Sequence, residues 1–288
     1  MKKNLVKMTG LVLAAACVLG VTACKEEEKL QVGKEFVAAT SQLDALTKLD
    51  KGEADVAVID SVMAGYYTST GDYATKMQMV DGLVFAEESY GIAAKKGNKA
   101  LVSKINEALI GIRQTEYATL AAQYGLTSSI ALTEETTDTY AGATDSSWTD
   151  VVSSGKIVIG YTLFAPIAYE ENDALTGFDI ELARKTVAYL NTEYELNLQV
   201  EFLLIEWSTK EAKLADGTID LVWNGMTITE EREAEMCVSV PYLYNKQVAV
   251  ILKSAATKYS TKESMSDAIM TAESGSAGET VIVGEKEE

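Results

Sequence analysis

Short β-branched runs alternate with amphipathic stretches along most of the chain. The runs Asp55–Asp60, Lys156–Tyr161, Gln199–Ile205, Ile219–Asn224 and Gln247–Lys253 read as strands. Their near-continuous apolar character is that of strands covered on both faces. Between them, the segment from Phe178 to Leu190 places Phe178, Leu182, Val187 and Leu190 near one face of a helix. Ser103–Arg113 and Thr115–Tyr124 read as further helices, the second stopped by Gly125. This alternation predicts an α/β protein with mainly parallel sheets. Thr127 to Ser147 breaks the pattern: it is rich in Thr, Ser, Asp and Glu, has no clear period, and reads as a mobile linker. The acidic ends, Lys25–Lys29 and Gly284–Glu288, read as frayed termini. No internal repeat is visible.

The N-terminus follows a different logic. Lys2, Lys3 and Lys7 precede an apolar run from Leu11 to Ala23. As a helix that run covers about 20 Å, short of the roughly 30 Å hydrocarbon core. A basic region followed by a short apolar one predicts a secretory signal over 1–23. Its end, Val21-Thr22-Ala23-Cys24, is similar to a bacterial lipobox, which makes Cys24 the expected lipidated residue. The alternative is an ordinary signal with a chance cysteine. An acylated Cys24 holds the protein at a membrane surface without spanning it.

Composition narrows the chemistry. There is no histidine, which excludes Ser-His-Asp and Cys-His nucleophile activation and imidazole-built zinc sites. Lys and Arg number 25 against 43 Asp and Glu, a formal charge of −18, so no basic surface is left for nucleic acid. Of Cys17, Cys24 and Cys237, the first leaves with the signal and the second is expected to be lipidated. Cys237 then stands alone, so the exported domain is held by its core rather than by a disulfide.

From Gly155 onward the chain resembles the polar amino-acid family of solute-binding proteins, the extracytoplasmic receptors of ABC importers. The matching pieces are Lys156–Tyr161, Leu175-Thr-Gly-Phe-Asp-Ile-Glu-Leu-Ala183, Val200-Glu-Phe202 with Trp207, Gly217 to Arg232, and Val240-Pro-Tyr-Leu243. Gly225-Met-Thr-Ile-Thr229 followed by Glu-Glu-Arg232 is the most specific of them. Earlier segments match in the wrong place. Ala45 to Asp60 resembles the family's second lobe, and Tyr90 to Leu126 resembles its C-terminal end. The chain's own end, Ala272-Glu-Ser-Gly-Ser-Ala-Gly-Glu279, resembles the opening of the second lobe.

The resemblance therefore implies an α/β, two-lobe periplasmic-binding-protein (Venus flytrap) fold of type II with circularly permuted chain order. In that reading 25–81 is the first part of lobe II, and 82–126 is the family's C-terminal portion of lobe I. Residues 127–147 join the usual termini, 148–254 form the N-terminal portion of lobe I, and 255–288 complete lobe II. Surface termini that lie near one another make permutation physically easy. The rival is a fused fragment of two tandem receptors that completes itself by exchange between chains; the permuted reading expects a monomer.

The resemblance also implies a binding site. Arg232 suits an amino acid's carboxylate, since its planar fork gives two parallel hydrogen bonds; its alternative is a surface salt bridge with Glu230 or Glu235. Thr227 and the backbone at Gly225 and Met226 supply further donors and acceptors. Ser276 and Ala277 resemble a lobe II turn whose N–H groups favour an anion. Asp60 ends an apolar strand, where a carboxylate is costly unless a cation meets it; the resemblance sets it against the ligand's ammonium, and the competing role is a helix N-cap. Phe164 and Trp207 match two aromatic walls, with core packing as the alternative for each, whereas Trp223 alternates away from Asn224 and reads as packing. Asn224 and Thr162 are candidates for the ligand side chain. Thr162 is neutral where receptors for basic ligands often carry an aspartate, which argues against lysine or arginine. Glu170 and Glu171 lie just downstream, either as an acidic contact or as exposed loop positions.

The expected function is a lipid-anchored extracytoplasmic receptor that closes on a free, polar or neutral amino acid and hands it to an ABC permease. Closure is expected about two crossing segments, near Phe85–Ile92 and Val250–Ser254. No metal, cofactor or catalytic residue is expected. Two alternatives stand beside this reading: a cyclohexadienyl dehydratase-like enzyme on the same fold, and a non-transport lipoprotein with a decayed pocket.

Overall fold

The computed structural model describes residues 30–71 and 73–285. The signal segment and Cys24 lie outside the described residues. In chain order the first elements are β1 (Glu35–Ala39), α1 (Gln42–Lys51), β2 (Val56–Asp60), α2 (Ser61–Ser69), α3 (Tyr73–Lys76) and β3 (Met77–Lys95). Then come α4 (Lys99–Ile112), α5 (Ala118–Gln123), α6 (Ser147–Ser154), β4 (Lys156–Tyr161), β5 (Tyr169–Glu171), β6 (Ala174–Thr176) and α7 (Phe178–Glu193). The chain continues through β7 (Gln199–Leu204), α8 (Lys210–Asp216), β8 (Leu221–Thr227), α9 (Glu230–Glu235) and β9 (Met236–Val238). It closes with β10 (Leu243–Leu252), β11 (Ile269–Glu273) and α10 (Ala277–Val283).

Two lobes share one hydrogen-bonded path of strands. One lobe orders its strands β1-β11-β2-β10-β3, the other β7-β4-β8-β3-β9. The pairs β1/β11, β11/β2, β4/β7 and β4/β8 are parallel, while every pair involving β3 or β10 is antiparallel. The sheets are thus mixed rather than mainly parallel, because β3 and β10 run through both lobes against the direction of their neighbours. This is the two-lobe, two-crossing arrangement of the type II periplasmic-binding-protein fold.

Each lobe buries both faces of its sheet. Along β2, Val56 and Val58 face a core with Ala249, Ile251 and Met270, and Ala57 and Ile59 face another with Leu46, Leu49 and Val250. In the second lobe, Tyr90, Ile92, Ile157, Ile159, Leu221 and Trp223 pack under α4 and α7. On the far side Ala93, Val222, Met226 and Ile219 pack with Trp207 and Leu214. Period-two alternation with both faces covered explains why the strands read as continuous apolar runs.

The crossing of β10 lies at Lys246–Val248, earlier than the expected Val250–Ser254. Val248 to Ile251 already pack inside the first lobe, so that lobe takes the strand well before residue 254. The ladder shifts register between Gln247 and Val248 and again before Val250, the irregularity that lets a strand bend between sheets. On β3, Val80 belongs to the first lobe and Tyr90 to the second.

Residues 127–147 are not the free linker that their composition suggested. Ala131 donates to the Tyr242 carbonyl and Ile130 bridges Leu243. Asp138 accepts from Ser103 Oγ at 2.5 Å and Asn106 Nδ2 at 2.7 Å. Asp145 and Ser147 accept from the Ala100 and Leu101 N–H groups, capping α4 from outside its own sequence. The polar side chains that read as solvent-seeking are satisfied by a helix end that otherwise lacks partners. Replacement of Asp145 by Ala is expected to lower stability by about 1 kcal/mol, measured as a lower urea midpoint at unchanged slope.

Candidate functional site

Residues of both lobes enclose a cavity lined by Thr162, Phe164, Trp207, Asn224, Gly225, Thr227 and Arg232 on one side. Gln42, Asp60, Glu273, Ser276 and Ala277 line it on the other. Its volume is about 10 Å³, room for about one water. With the lobes in this position the cavity therefore has no room for anything larger than a water.

Arg232 stands in the first turn of α9, whose N-cap Thr229 accepts the Arg232 N–H. That cap aims the side chain into the cleft rather than toward Glu230 or Glu235. One arm, Nη1, donates to the Thr227 carbonyl at 2.7 Å. The other, Nη2, crosses to the opposite lobe and donates to the Gly275 carbonyl at 3.1 Å. Burial lowers the pKa of the guanidinium, and Glu211, Glu88 and Asp60 oppose that shift. A guanidinium stays protonated in proteins, so the cleft holds one fixed positive fork.

Asp60 faces it from the end of β2. The residue occupies the N-cap position of α2, yet its side chain makes no capping bond. Asn245 of β10 does that work, its Oδ1 accepting from Ser61 Oγ and the Val62 N–H. The Asp60 carboxylate is thereby left for the cleft. It accepts from Gln42 Nε2 at 2.5 Å, from Asn245 Nδ2 at 2.8 Å and from Gln247 Nε2. The same two amides of β10 also reach Glu88 of β3. Burial, followed by the charge of Glu88, raises the Asp60 pKa well above the carboxylate range.

The remaining expected residues divide. Thr227 and Gly225 line the cavity as expected. Gly225 has φ of +62°, and a Cβ there would meet Phe164 Cε1 at 2.7 Å, so glycine is needed both for the turn and for the ring. Its N–H is held by Asp179 Oδ2 at 2.8 Å. The Met226 side chain lies outside the cavity lining and packs with Ala93, Trp207 and Val222, since its neighbours on β8 take the cleft face, which leaves only its backbone for the expected role. Phe164 and Trp207 both line the cavity while packing in the cores, so the two readings of each coexist. Asn224 donates to Thr162 Oγ1 at 2.8 Å, and Trp223 points into the core. Ser276 caps α10 through its hydroxyl, and its N–H already binds the Glu273 carbonyl. Glu170 and Glu171 are exposed on β5.

Sequence reasoning missed Gln42, Glu273, Lys210 and the amides of β10. Glu273 carried a legible signal, an acid ending an apolar strand as Asp60 does. It is 4% exposed and lines the cavity. Burial pushes its carboxyl up to about 8, against the opposing charge of Lys210. Lys210 is itself buried, lies 4.9 Å from the Trp207 ring centroid, and donates to the Gly275 carbonyl at 3.2 Å. Among the described residues no grouping of Cys, Asp and Glu is suited to a metal ion, and no helix is long and apolar enough to cross a membrane.

Residues 157–274 match the family model of bacterial extracellular solute-binding proteins, family 3. A probable amino-acid-binding protein, YxeM of Bacillus subtilis, is 30% identical over 88 residues, 31% of each chain. The L-cystine-binding protein TcyJ of Escherichia coli K12 is 29% identical over 105 residues, 36% of this chain and 37% of the relative. The chain thus spans about a third of the length of the curated relatives it matches. A histidine-bound substrate-binding protein of an ABC uptake transporter from Streptococcus pneumoniae is 35% identical. That likeness covers 32% of this chain and 36% of that one, with a TM-score of 0.28.

The raised carboxyls have a consequence for stability. Glu273, Asp179 (pushed up to about 7 by burial) and Asp60 keep protons in the folded state at pH values where the unfolded chain has lost them. Stability is therefore fullest at and below the ordinary carboxylate range and falls as pH rises toward 8. Melting temperature is expected to drop between pH 5 and pH 8.5, and Glu273→Gln to flatten that drop; an unchanged slope counts against the burial described.

Proposed function

We propose that this protein is an extracytoplasmic receptor of the family 3 solute-binding class that binds a free amino acid between two closing lobes. In this reading it is lipid-anchored through Cys24 and delivers its ligand to an ABC permease. The observation that carries it is the convergence of Arg232 from one lobe and Asp60 from the other on a single cavity. Phe164 and Trp207 line the same cavity, and a ligand ammonium draws off the proton that burial leaves on Asp60, so that Arg232 and Asp60 become opposite charges when the ligand is bound. A zwitterion satisfies both only when the lobes meet, and that differential contact shifts the population toward closure.

The energetics suffice. Micromolar affinity needs about −8 kcal/mol. Two or three charge-assisted contacts at roughly 1.5–3 kcal/mol each, with aromatic burial added, reach it after closure costs.

The chain order is, in this proposal, circularly permuted. In support, β11 from the end of the chain lies between β1 and β2 from its beginning. One chain thereby completes the lobe, and the protein runs as a monomer; a dimer by light scattering favours completion by exchange. The dehydratase-like alternative draws on one observation, a buried acid in the cavity lining, Glu273, whose carboxyl burial pushes up to about 8; turnover of prephenate or arogenate by the purified protein establishes it.

A thermal-shift screen of the twenty amino acids is expected to raise the melting temperature with at least one of them. Arg232→Ala and Asp60→Ala are each expected to weaken that ligand by about 100-fold or more in calorimetry, in line with leaving a buried charge unpaired. Full binding by either variant removes the proposed geometry.

A further inference from the structure

One backbone carbonyl joins the lobes. Gly275 lies in the turn between β11 and α10 of the first lobe, at φ of +75°, and a Cβ there would sit 3.3 Å from Ser208 Cα of the second lobe. Its N–H is held by Glu279 Oε2 at 2.6 Å, so the carbonyl keeps its direction across the cleft. Two donors of the second lobe reach that oxygen, Arg232 Nη2 at 3.1 Å and Lys210 Nζ at 3.2 Å. A carbonyl oxygen has two lone pairs, and here both meet cations.

The two cations are not equivalent. Arg232 also lines the cavity and faces the place assigned to the ligand's carboxylate. Lys210 lies outside that lining. It is 2% exposed, stands over the Trp207 ring, and pairs with Glu211 at 2.8 Å. Those partners belong to its own lobe, so they aim the ammonium without help from a ligand. Burial lowers the Lys210 pKa, and the charge of Arg232 lowers it further, against Glu211 and Glu273. The two positive groups on one oxygen thus repel each other. A carboxylate bound to Arg232 offsets its charge, relieves that repulsion and strengthens the hold of Lys210 on Gly275. Carboxylate binding and lobe contact are then coupled, because each is stronger when the other is made.

We propose that Lys210 is a positioning residue of the receptor: it ties the lobes through the Gly275 carbonyl, holds more tightly once a ligand carboxylate occupies Arg232, and so sets how long the closed protein keeps its ligand. The coupling to ligand rests on the amino-acid reading of the site, whereas the tie itself needs no ligand. The division of labour is between the two cations. Arg232 serves ligand and lobe contact together, and Lys210 serves lobe contact alone.

The test separates tying from folding. Small-angle scattering on the purified protein without ligand is expected to give a larger radius of gyration for Lys210→Met than for the wild type, with unchanged far-UV circular dichroism. Lys210→Arg is expected to restore the compact value. Stopped-flow tryptophan fluorescence then takes the free L-amino acids singly as probes. For any that binds, Lys210→Met is expected to raise the dissociation rate about tenfold, the scale of one charge-assisted hydrogen bond, and to leave the association rate within about twofold. Lys210→Gln, which keeps a donor without the charge, is expected to fall between. Lys156→Met removes an exposed cation of the same lobe, paired with Glu201, and is expected to change neither measurement. An unchanged radius of gyration in Lys210→Met overturns the tie, and an unchanged dissociation rate overturns its coupling to ligand; either leaves the receptor reading standing. Loss of fold in both Lys210→Met and Lys210→Gln also overturns the inference, by making the lysine a support of its own lobe. A wild type that binds none of the amino acids overturns the receptor reading and the coupling, and the scattering comparison still decides the tie.

Discussion

The antiparallel ladder between β3 and β10 is the constraint on which everything else depends. It is the continuous piece of sheet common to both lobes, so any relative movement must bend it, and its register shifts mark where bending is easiest. The same ladder carries Glu88, Asn245 and Gln247, the groups gathered around Asp60. The strands that cross between the lobes and the Asp60 carboxylate are therefore one network. A change of charge at Asp60 is felt by amides on a strand that joins the two lobes, and bending that strand would re-aim the donors that hold Asp60.

Closure in turn rests on how charges are handled once water is excluded. Arg232 and Lys210 both reach across to the Gly275 carbonyl, so the lobes are held partly by cations of one lobe on the backbone of the other. The buried acids in and behind the cleft respond differently. Asp60 collects amide donors, Asp179 takes a tyrosine hydroxyl and the Gly225 N–H, and Glu273 has neither. A buried acid without partners neutralises itself by holding a proton. The three carboxyls thus form a series from fully to barely satisfied, and the least satisfied one faces the cavity.

Much of the site was legible beforehand because its residues stand in short local patterns. Asp60 was marked by an apolar strand that ends in an acid, and Arg232 by its place after Gly225-Met-Thr-Ile-Thr229. Trp223 and Asn224 followed from strand alternation. What was missed came from elsewhere in the chain. Gln42 lies 18 residues from the carboxylate it holds, and Asn245 lies 185 residues from it. The polar tract 127–147 went wrong because its composition suits a free linker and a helix-capping strap equally well.

By itself, then, the sequence determined the alternation of strands and helices and marked the acid and the arginine that line the cleft. These are properties of neighbouring residues: period, punctuation and motif. Only the tertiary structure decided where β10 passes between lobes, that Asn245 rather than Asp60 caps α2, and that Glu273 is left without a partner. Each of those depends on which groups from distant segments arrive at the same point, and on whether water is still there when they do.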